Sequence, residues 1–165
     1  MIKIRDARPS DAKAISDIYN HYVVNTIVTF EEQPVTVTDM EARIKLVLDK
    51  QQPWLVSESD GIITGYAYAG EWKSRCSYRF SLESTIYLQV GQYGRGLGST
   101  LYGELLSRVK SKNYHALIGG IALPNEASVA LHEKLGFRKI GQFIEVGYKF
   151  DRWIDVGYWE LIFSK

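Results

Sequence analysis

The chain has 165 residues, 45% of them hydrophobic and 24% charged, with a formal net charge of +1. That length suits one domain with its own core, and the near-neutral balance gives no electrostatic reason to expect nucleic acid or an anionic membrane as partner. The single cysteine, Cys76, excludes an intrachain disulfide and any multi-cysteine zinc site.

The opening segment, MIKIRDA, alternates apolar and polar residues and predicts a strand. Pro9-Ser10-Asp11 predicts a turn and a helix start, with Ser10 or Asp11 as cap. Ile15, Ile18, Tyr19 and Tyr22 then form an apolar stripe at helical spacing. VNTIVTFEEQPVT reads as a loop. Thr38 or Asp39 is expected to cap a second helix running to about Lys50, with Met40, Ile44, Val47 and Leu48 inward. WLVSES and GIITGYAYAG predict a hairpin turning at Asp60-Gly61. WKSRCSYRF connects it to a β-prone strand, ESTIYLQV.

A helix is expected from Arg95 to Lys112, and HALIGGIAL reads as a short buried strand. PNEASVALHEKLGF predicts a helix stopped by Gly136. Two late strands meet near Asp151-Arg152. The order is β-α-α-β-β-β-α-β-α-β-β, which predicts a single mixed α/β domain over residues 1–165, a central sheet with helices packed on it. The polar N-terminal stretch is unlike a secretory signal. No apolar run approaches the ~20 residues of a membrane span, so a cytoplasmic protein is expected.

Residues 88 to 106, LQVGQYGRGLGSTLYGELL, hold four glycines within eight positions: Gly91, Gly94, Gly96 and Gly98. A Walker A loop fails because Leu97 stands where the lysine must be. A dinucleotide fingerprint fails because its third glycine falls on Ser99 or Leu101. A third arrangement fits: a strand, a glycine loop, and a helix whose first amides point at one anion such as a pyrophosphate. Arg95 adds a possible charge-assisted contact. The plainer alternative is a tight turn that merely needs glycine.

Tyr93-Gly94-Arg95-Gly96-Leu97-Gly98 resembles the coenzyme A pyrophosphate loop of the GNAT superfamily of N-acetyltransferases, with Tyr93 where the family has Arg or Gln. PNEASVALHEKLGF resembles the family helix that flanks the thiol end of the cofactor. NHYVVNTIVTFEEQP, PWLVSESDG, GYAYAGEWKSRCSY, ESTIYL, GLGSTLY and DVGYWEL, in that order along the chain, are similar to phosphinothricin and methionine sulfoximine–sulfone N-acetyltransferases. The resemblance implies an α/β GNAT fold with a mixed sheet of about seven strands and a splayed middle pair. It also implies acetyl-CoA as co-substrate, direct transfer, no metal, and a homodimer.

It further implies roles for particular residues. Main-chain groups at Leu88 and Val90 would bond the pantetheine arm. Tyr93, Gly94, Arg95, Gly96, Leu97, Gly98 and Ser99 would hold the pyrophosphate. Asn125 and Ser128 match the Asn-x-x-Ser signature, and Asn125 also suits a helix cap. Glu83 is the candidate general base, since an acceptor amine must lose a proton before it attacks. Aromatic neighbours, Tyr78, Phe80 and Tyr87, would raise its pKa.

His132 stands where most of the superfamily has a tyrosine that protonates the thiolate, and an imidazole titrates near neutrality. It is the candidate donor or a member of a proton path, with Tyr102 and Tyr93 as fallbacks. Lys73, Arg75 and Tyr78 offer two cations and a phenol suited to a small zwitterionic amino acid. In the family the matching residues line the substrate site, and Phe30 and Tyr87 join them. Cys76 is read as a bystander, and His21, His115 and His132 lack metal-ligand spacing.

The function expected is acetyl transfer to a small amino acid analogue: phosphinothricin, methionine sulfoximine or methionine sulfone. The alternatives are acetylation of another amine or a protein N-terminus, or a non-catalytic acyl-CoA-binding module. Trp153 and Trp159 are expected to form the apolar surface of the dimer.

Overall fold

Period-two and helical patterns resolve, in a computed structural model that describes residues 2–163, into seven strands and four helices among the described residues. They are β1 (Ile2–Asp6), α1 (Ala12–Asn25), α2 (Val37–Asp49), β2 (Trp54–Ser59), β3 (Ile62–Glu71), β4 (Ser81–Leu88), α3 (Leu97–Ser111), β5 (Ala116–Ala122), α4 (Glu126–Lys134), β6 (Arg138–Lys149) and β7 (Arg152–Ile162). The element order is the expected one. The sheet runs β1-β2-β3-β4-β5-β7-β6, and every neighbouring pair is antiparallel except β4 with β5. Among the described residues no helix is long and apolar enough to cross a membrane.

Alternate residues of each strand face opposite sides, so the sheet carries two cores. On one side α1 and α2 bring Ile15, Ile18, Tyr19, Val23, Met40, Ile44 and Val47 against Trp54, Val56 and Tyr66. On the other, α3 brings Leu101, Tyr102, Leu105 and Val109 against Leu55, Ala67, Leu82, Leu117, Ile121 and Trp159. Each of the larger aliphatic side chains contributes about 1.5–3 kcal/mol by leaving water. Trp159 is 2% exposed, so it is a core residue and not the interface residue expected. Trp153, on the same strand, is 62% exposed. Trp159 packs in the α3-side core, and its indole N–H donates to Glu133 of α4.

Local chemistry sets the boundaries. Asp60 and Gly61 turn the β2–β3 hairpin with φ of 52° and 80°, as a primed turn requires. Gly136, at φ 93°, ends α4. Three expected caps move. Neither Ser10 nor Asp11 caps α1 by its side chain; the Asp11 carboxylate turns back to accept from the Arg8 amide and from Arg5. That guanidinium holds Asp11 below the usual carboxylate range against the opposing effect of burial. α2 is capped by Thr36, whose hydroxyl accepts from the Asp39 amide, and not by Thr38 or Asp39 as expected. α3 begins at Leu97, because Gly94 and Gly96 are left-handed and keep the loop open through Gly96.

Candidate active site

β4 and β5 are paired through three rungs only: Ser81 with Ala116, Leu82 with Leu117 and Glu83 with Ile118. Beyond them the strands part and a cleft of about 430 Å³ opens. Its walls are Ser84 to Leu88 of β4, Gly120 to Ala122 of β5, Asn125, Ser128, Leu131 and His132 around α4, and Tyr22, Val28 and Tyr93 at the mouth. Two glycines of β5 leave the necessary space. A Cβ on Gly119 would sit 2.7 Å from His132 Nε2, and one on Gly120 would sit 3.2 Å from the Tyr158 ring and 3.5 Å from Glu83 Oε1.

The cleft leads to the glycine loop. Gly91, Gly94 and Gly96 have φ of 85°, 77° and 77°, and open space lies where each Cβ would be. No side chain caps α3, whose Ncap is Gly96. The first amides of α3, at Leu97, Gly98 and Ser99, are therefore left to an outside acceptor, where the helix dipole favours an anion. Lys134 of α4 donates to Ser99 Oγ at 3.1 Å and brings an ammonium to the same end. Arg95 is exposed on the loop. This strand–loop–helix geometry fits a pyrophosphate, and the unpaired strand edges fit an amide-bearing arm. Leu88 stands at the end of β4, but its carbonyl already accepts from the Tyr22 hydroxyl. Val90 lies past the strand, after a turn in which the Gln92 amide donates to the Gln89 carbonyl. Val90 faces a separate groove beside α1 and does not line the cleft.

Glu83 occupies the last paired rung, at the point where the strands separate. Burial raises the pKa of its carboxyl. The neighbours differ from those expected. Tyr158 lies against the same glycine as Glu83, and the carboxylate in turn helps raise the Tyr158 pKa. Tyr78 and Phe80 are exposed.

On the other side of the sheet, Ser84, Tyr102 and His132 form a buried chain. His132 is 4% exposed. Its Nδ1 lies 2.7 Å from the Ser128 carbonyl oxygen, which can only accept, so Nδ1 carries the proton. Nε2 is then the acceptor and takes a hydrogen bond from the Tyr102 hydroxyl at 2.9 Å. Tyr102 Oη is thus left to accept from Ser84 Oγ at 2.6 Å. Burial lowers the His132 pKa, only partly offset by the Ser128 carbonyl, so the imidazole does not keep the ordinary value expected of it. Burial pushes the Tyr102 phenol up. Asn125 caps α4, its Oδ1 accepting from the Ser128 amide, and it lines the cleft as well.

Aromatic residues form the remaining wall. Tyr87 packs edge-on to Tyr19 and tilted against Tyr22 and Tyr66. Its hydroxyl donates to the Val28 carbonyl at 3.4 Å. The Tyr22 and Tyr93 hydroxyls bond across the mouth. Phe30 stands outside the cleft wall, its ring against Gly147 of β6.

Lys73, Arg75 and Tyr78 lie on the exposed 72–80 connection and do not line the cleft. They do not share one extended face, because the Tyr78 amide donates to the Arg75 carbonyl and turns the segment. The Lys73 ammonium sits 4.9 Å from the Trp72 ring centre and 6.0 Å from that of Tyr78. Cys76 is exposed in the same segment. Tyr22, Val28, Ser84, Lys134 and Tyr158 join the site without having been singled out from the sequence. Each is an ordinary core or surface residue by local pattern, and only the sheet order brings them together.

Known proteins share this fold. The family described as Acetyltransferase (GNAT) domain matches residues 4–157. A phosphinothricin N-acetyltransferase of Streptomyces viridochromogenes is 40% identical over 99% of this chain and 88% of its own length. An L-methionine sulfoximine/L-methionine sulfone acetyltransferase of Salmonella typhimurium is 36% identical over 96% of this chain and 92% of its own. A Salmonella typhimurium structure, solved with its cofactor acetyl-CoA, superposes with a TM-score of 0.97 at 34% identity, covering 100% of this chain and 95% of that one. The splayed β4–β5 pair, the glycine loop and these likenesses lead to one conclusion: the chain is an N-acetyltransferase of the GNAT superfamily, in its phosphinothricin and methionine sulfoximine–sulfone acetyltransferase family.

Proposed function

We propose that this enzyme transfers the acetyl group of acetyl-CoA to the amino group of a small amino acid analogue of the phosphinothricin, methionine sulfoximine or methionine sulfone kind. The observation that carries this reading is Glu83: a carboxyl with a raised pKa, set where the two parallel strands part. When bound, acetyl-CoA supplies an activated acetyl thioester. The free amides of Leu97, Gly98 and Ser99 hold its pyrophosphate, joined by Arg95 and Lys134. The Gly94 and Gly96 turns allow close approach, and Tyr93 edges the mouth. The unpaired edge of β4 up to Leu88 takes the pantetheine arm, with Asn125 and Ser128 opposite.

Glu83 accepts the proton of the acceptor amine, so that the nitrogen lone pair forms the new N–C bond as the C–S bond breaks. A main-chain amide of β4 steadies the charge that develops on the carbonyl oxygen. In its imidazolium form, made more acidic by burial, His132 donates from Nε2 to Tyr102, and the hydroxyl chain, its hydrogen bonds reversed, passes a proton to the departing sulfur. Tyr87 and Phe30 shape the acceptor side.

The enzyme works as a cytoplasmic homodimer, with no nucleic acid or membrane partner. The dimer buries the exposed apolar row of β6 and β7: Ile140, Phe143, Ile144, Val146, Tyr148 and Trp153, each at least 50% exposed. A thiol-release assay over a panel of amines tests the reaction. Turnover of methionine sulfone, methionine sulfoximine or phosphinothricin is expected; turnover of other amines alone overturns the substrate class.

A further inference from the structure

Lys149 is a buried charge that the acetyl transfer does not use. It ends β6 and is 2% exposed. Its ammonium donates to the Val23 carbonyl at 2.7 Å and to the Thr29 carbonyl at 2.8 Å, and lies 5.1 Å from the Phe150 ring centre. Burying an ammonium costs several kcal/mol unless its donors are met. A methionine would fill the same space without that cost. The position therefore needs donors.

The two acceptors explain why. Val23 belongs to the last turn of α1, where carbonyls lack helical partners and a cation is favoured. Thr29 lies in the loop that follows. Lys149 thus ties together the two ends of a short segment that contains Val28, a residue of the cleft wall. The same segment is held from two other sides. The Tyr19 and Thr29 hydroxyls bond at 2.6 Å, and the Tyr87 hydroxyl reaches the Val28 carbonyl.

Gly147, two residues before Lys149 and on the same side of β6, receives the Phe30 ring. A Cβ there would come within 2.3 Å of that ring. The end of β6 therefore grips the loop twice, once by its carbonyls and once by its aromatic side chain.

We propose that Lys149 is a positioning residue that fixes the 26–30 loop, and with it Val28 as the acceptor-side wall of the cleft, with Phe30 anchoring the loop from behind against Gly147. It touches neither substrate. The proposal rests on the reading that this side of the cleft takes the amine, and that acetyl-CoA occupies the opposite side.

The test is Lys149→Met, with Lys149→Arg as the conservative variant and Gly147→Ala as an independent displacement of Phe30. In Lys149→Met the KM for the acceptor amine rises about tenfold or more, as small misplacements near a reacting group do. The KM for acetyl-CoA stays within about twofold. Gly147→Ala gives the same split with Lys149 intact, which covers the case of a Lys149→Met protein that does not fold. Lys149→Arg restores most of the amine KM. Amide hydrogen exchange in residues 26–30, read in the absence of substrate, speeds up in Lys149→Met. Equal changes in both KM values, or unchanged exchange in that loop, overturn the proposal. A wild-type enzyme that acetylates none of the amino acid analogues defeats the functional reading instead, and the exchange measurement still decides the role of Lys149.

Discussion

Glu83 and His132 stand on opposite faces of the central sheet. Gly119 and Gly120 are consecutive in β5 and so point to opposite sides, and their absent side chains would meet His132 and Glu83 respectively. In the proposed mechanism the base and the proton chain therefore approach the reacting carbon from different directions. Neither can short-circuit the other, and their variants should be separable.

Replacing Glu83 by Gln should lower kcat by about 10²–10⁴-fold while leaving acetyl-CoA binding intact. It should also stabilise the fold at neutral pH by on the order of 1 kcal/mol, because a partly buried charge is removed. The sign follows from its raised pKa. The folded carboxyl holds its proton more readily than the unfolded one, so stability falls as pH climbs from the ordinary 4.5 through the raised value. Activity moves the other way, rising as the base loses its proton. Paired urea titrations and pH–rate profiles of the two proteins check both directions.

Tyr102→Phe should cost about 1–3 kcal/mol, since it leaves Ser84 Oγ and His132 Nε2 without a shared partner in a dry interior. The chain also gives the fold an acid-side weakness. The folded imidazole takes a proton less readily than the unfolded one, so its contribution is complete above about 6.5 and is lost as pH falls through the lowered value. Denaturation midpoints at pH 7.5 and 5.5 should differ less in His132→Gln than in the wild type.

Gly96→Ala should destabilise the protein by about 1 kcal/mol, because φ of 77° disfavours a side chain. It should weaken acetyl-CoA binding and leave the acceptor KM nearly unchanged. Isothermal titration with acetyl-CoA, beside steady-state kinetics in the amine, reads the two effects.

The tryptophans of β7 should behave in opposite ways. Trp159→Ala empties a core position and should cost about 3–5 kcal/mol. Trp153→Asp should barely change monomer stability but shift the sedimentation coefficient from dimer to monomer at micromolar concentration. A monomeric wild type defeats the proposed dimer.

The element order was legible because apolar periodicity is a local property, strong in stripes such as Ile15, Ile18 and Tyr19. Cap positions were not, because Thr36, Thr38 and Asp39 are all competent and only the chain path after Pro34 chooses between them. The glycine loop announced itself through its spacing. The 72–80 connection did not, since a 3₁₀ turn at Cys76–Tyr78 has no strong sequence signal and breaks the alternation assumed for Lys73 and Arg75. Trp153 and Trp159 look alike in sequence; what separates them is that Trp159 lies in the core with α3 while Trp153 stands beside the exposed β6–β7 turn. Tyr22, Ser84 and Tyr158 entered the site through long-range strand order, which local pattern does not carry.

The three-rung limit of the β4–β5 pairing has one more consequence. The sheet contains an edge in its interior, protected from other chains by the depth of the crevice rather than by charge or proline. A linear ligand with its own amides can complete the missing rungs. Affinity obtained through backbone groups depends little on which side chains β4 carries. The side chains of β4, Glu83 and Ser84 among them, are thus left to the chemistry and to the acceptor rather than spent on holding the donor.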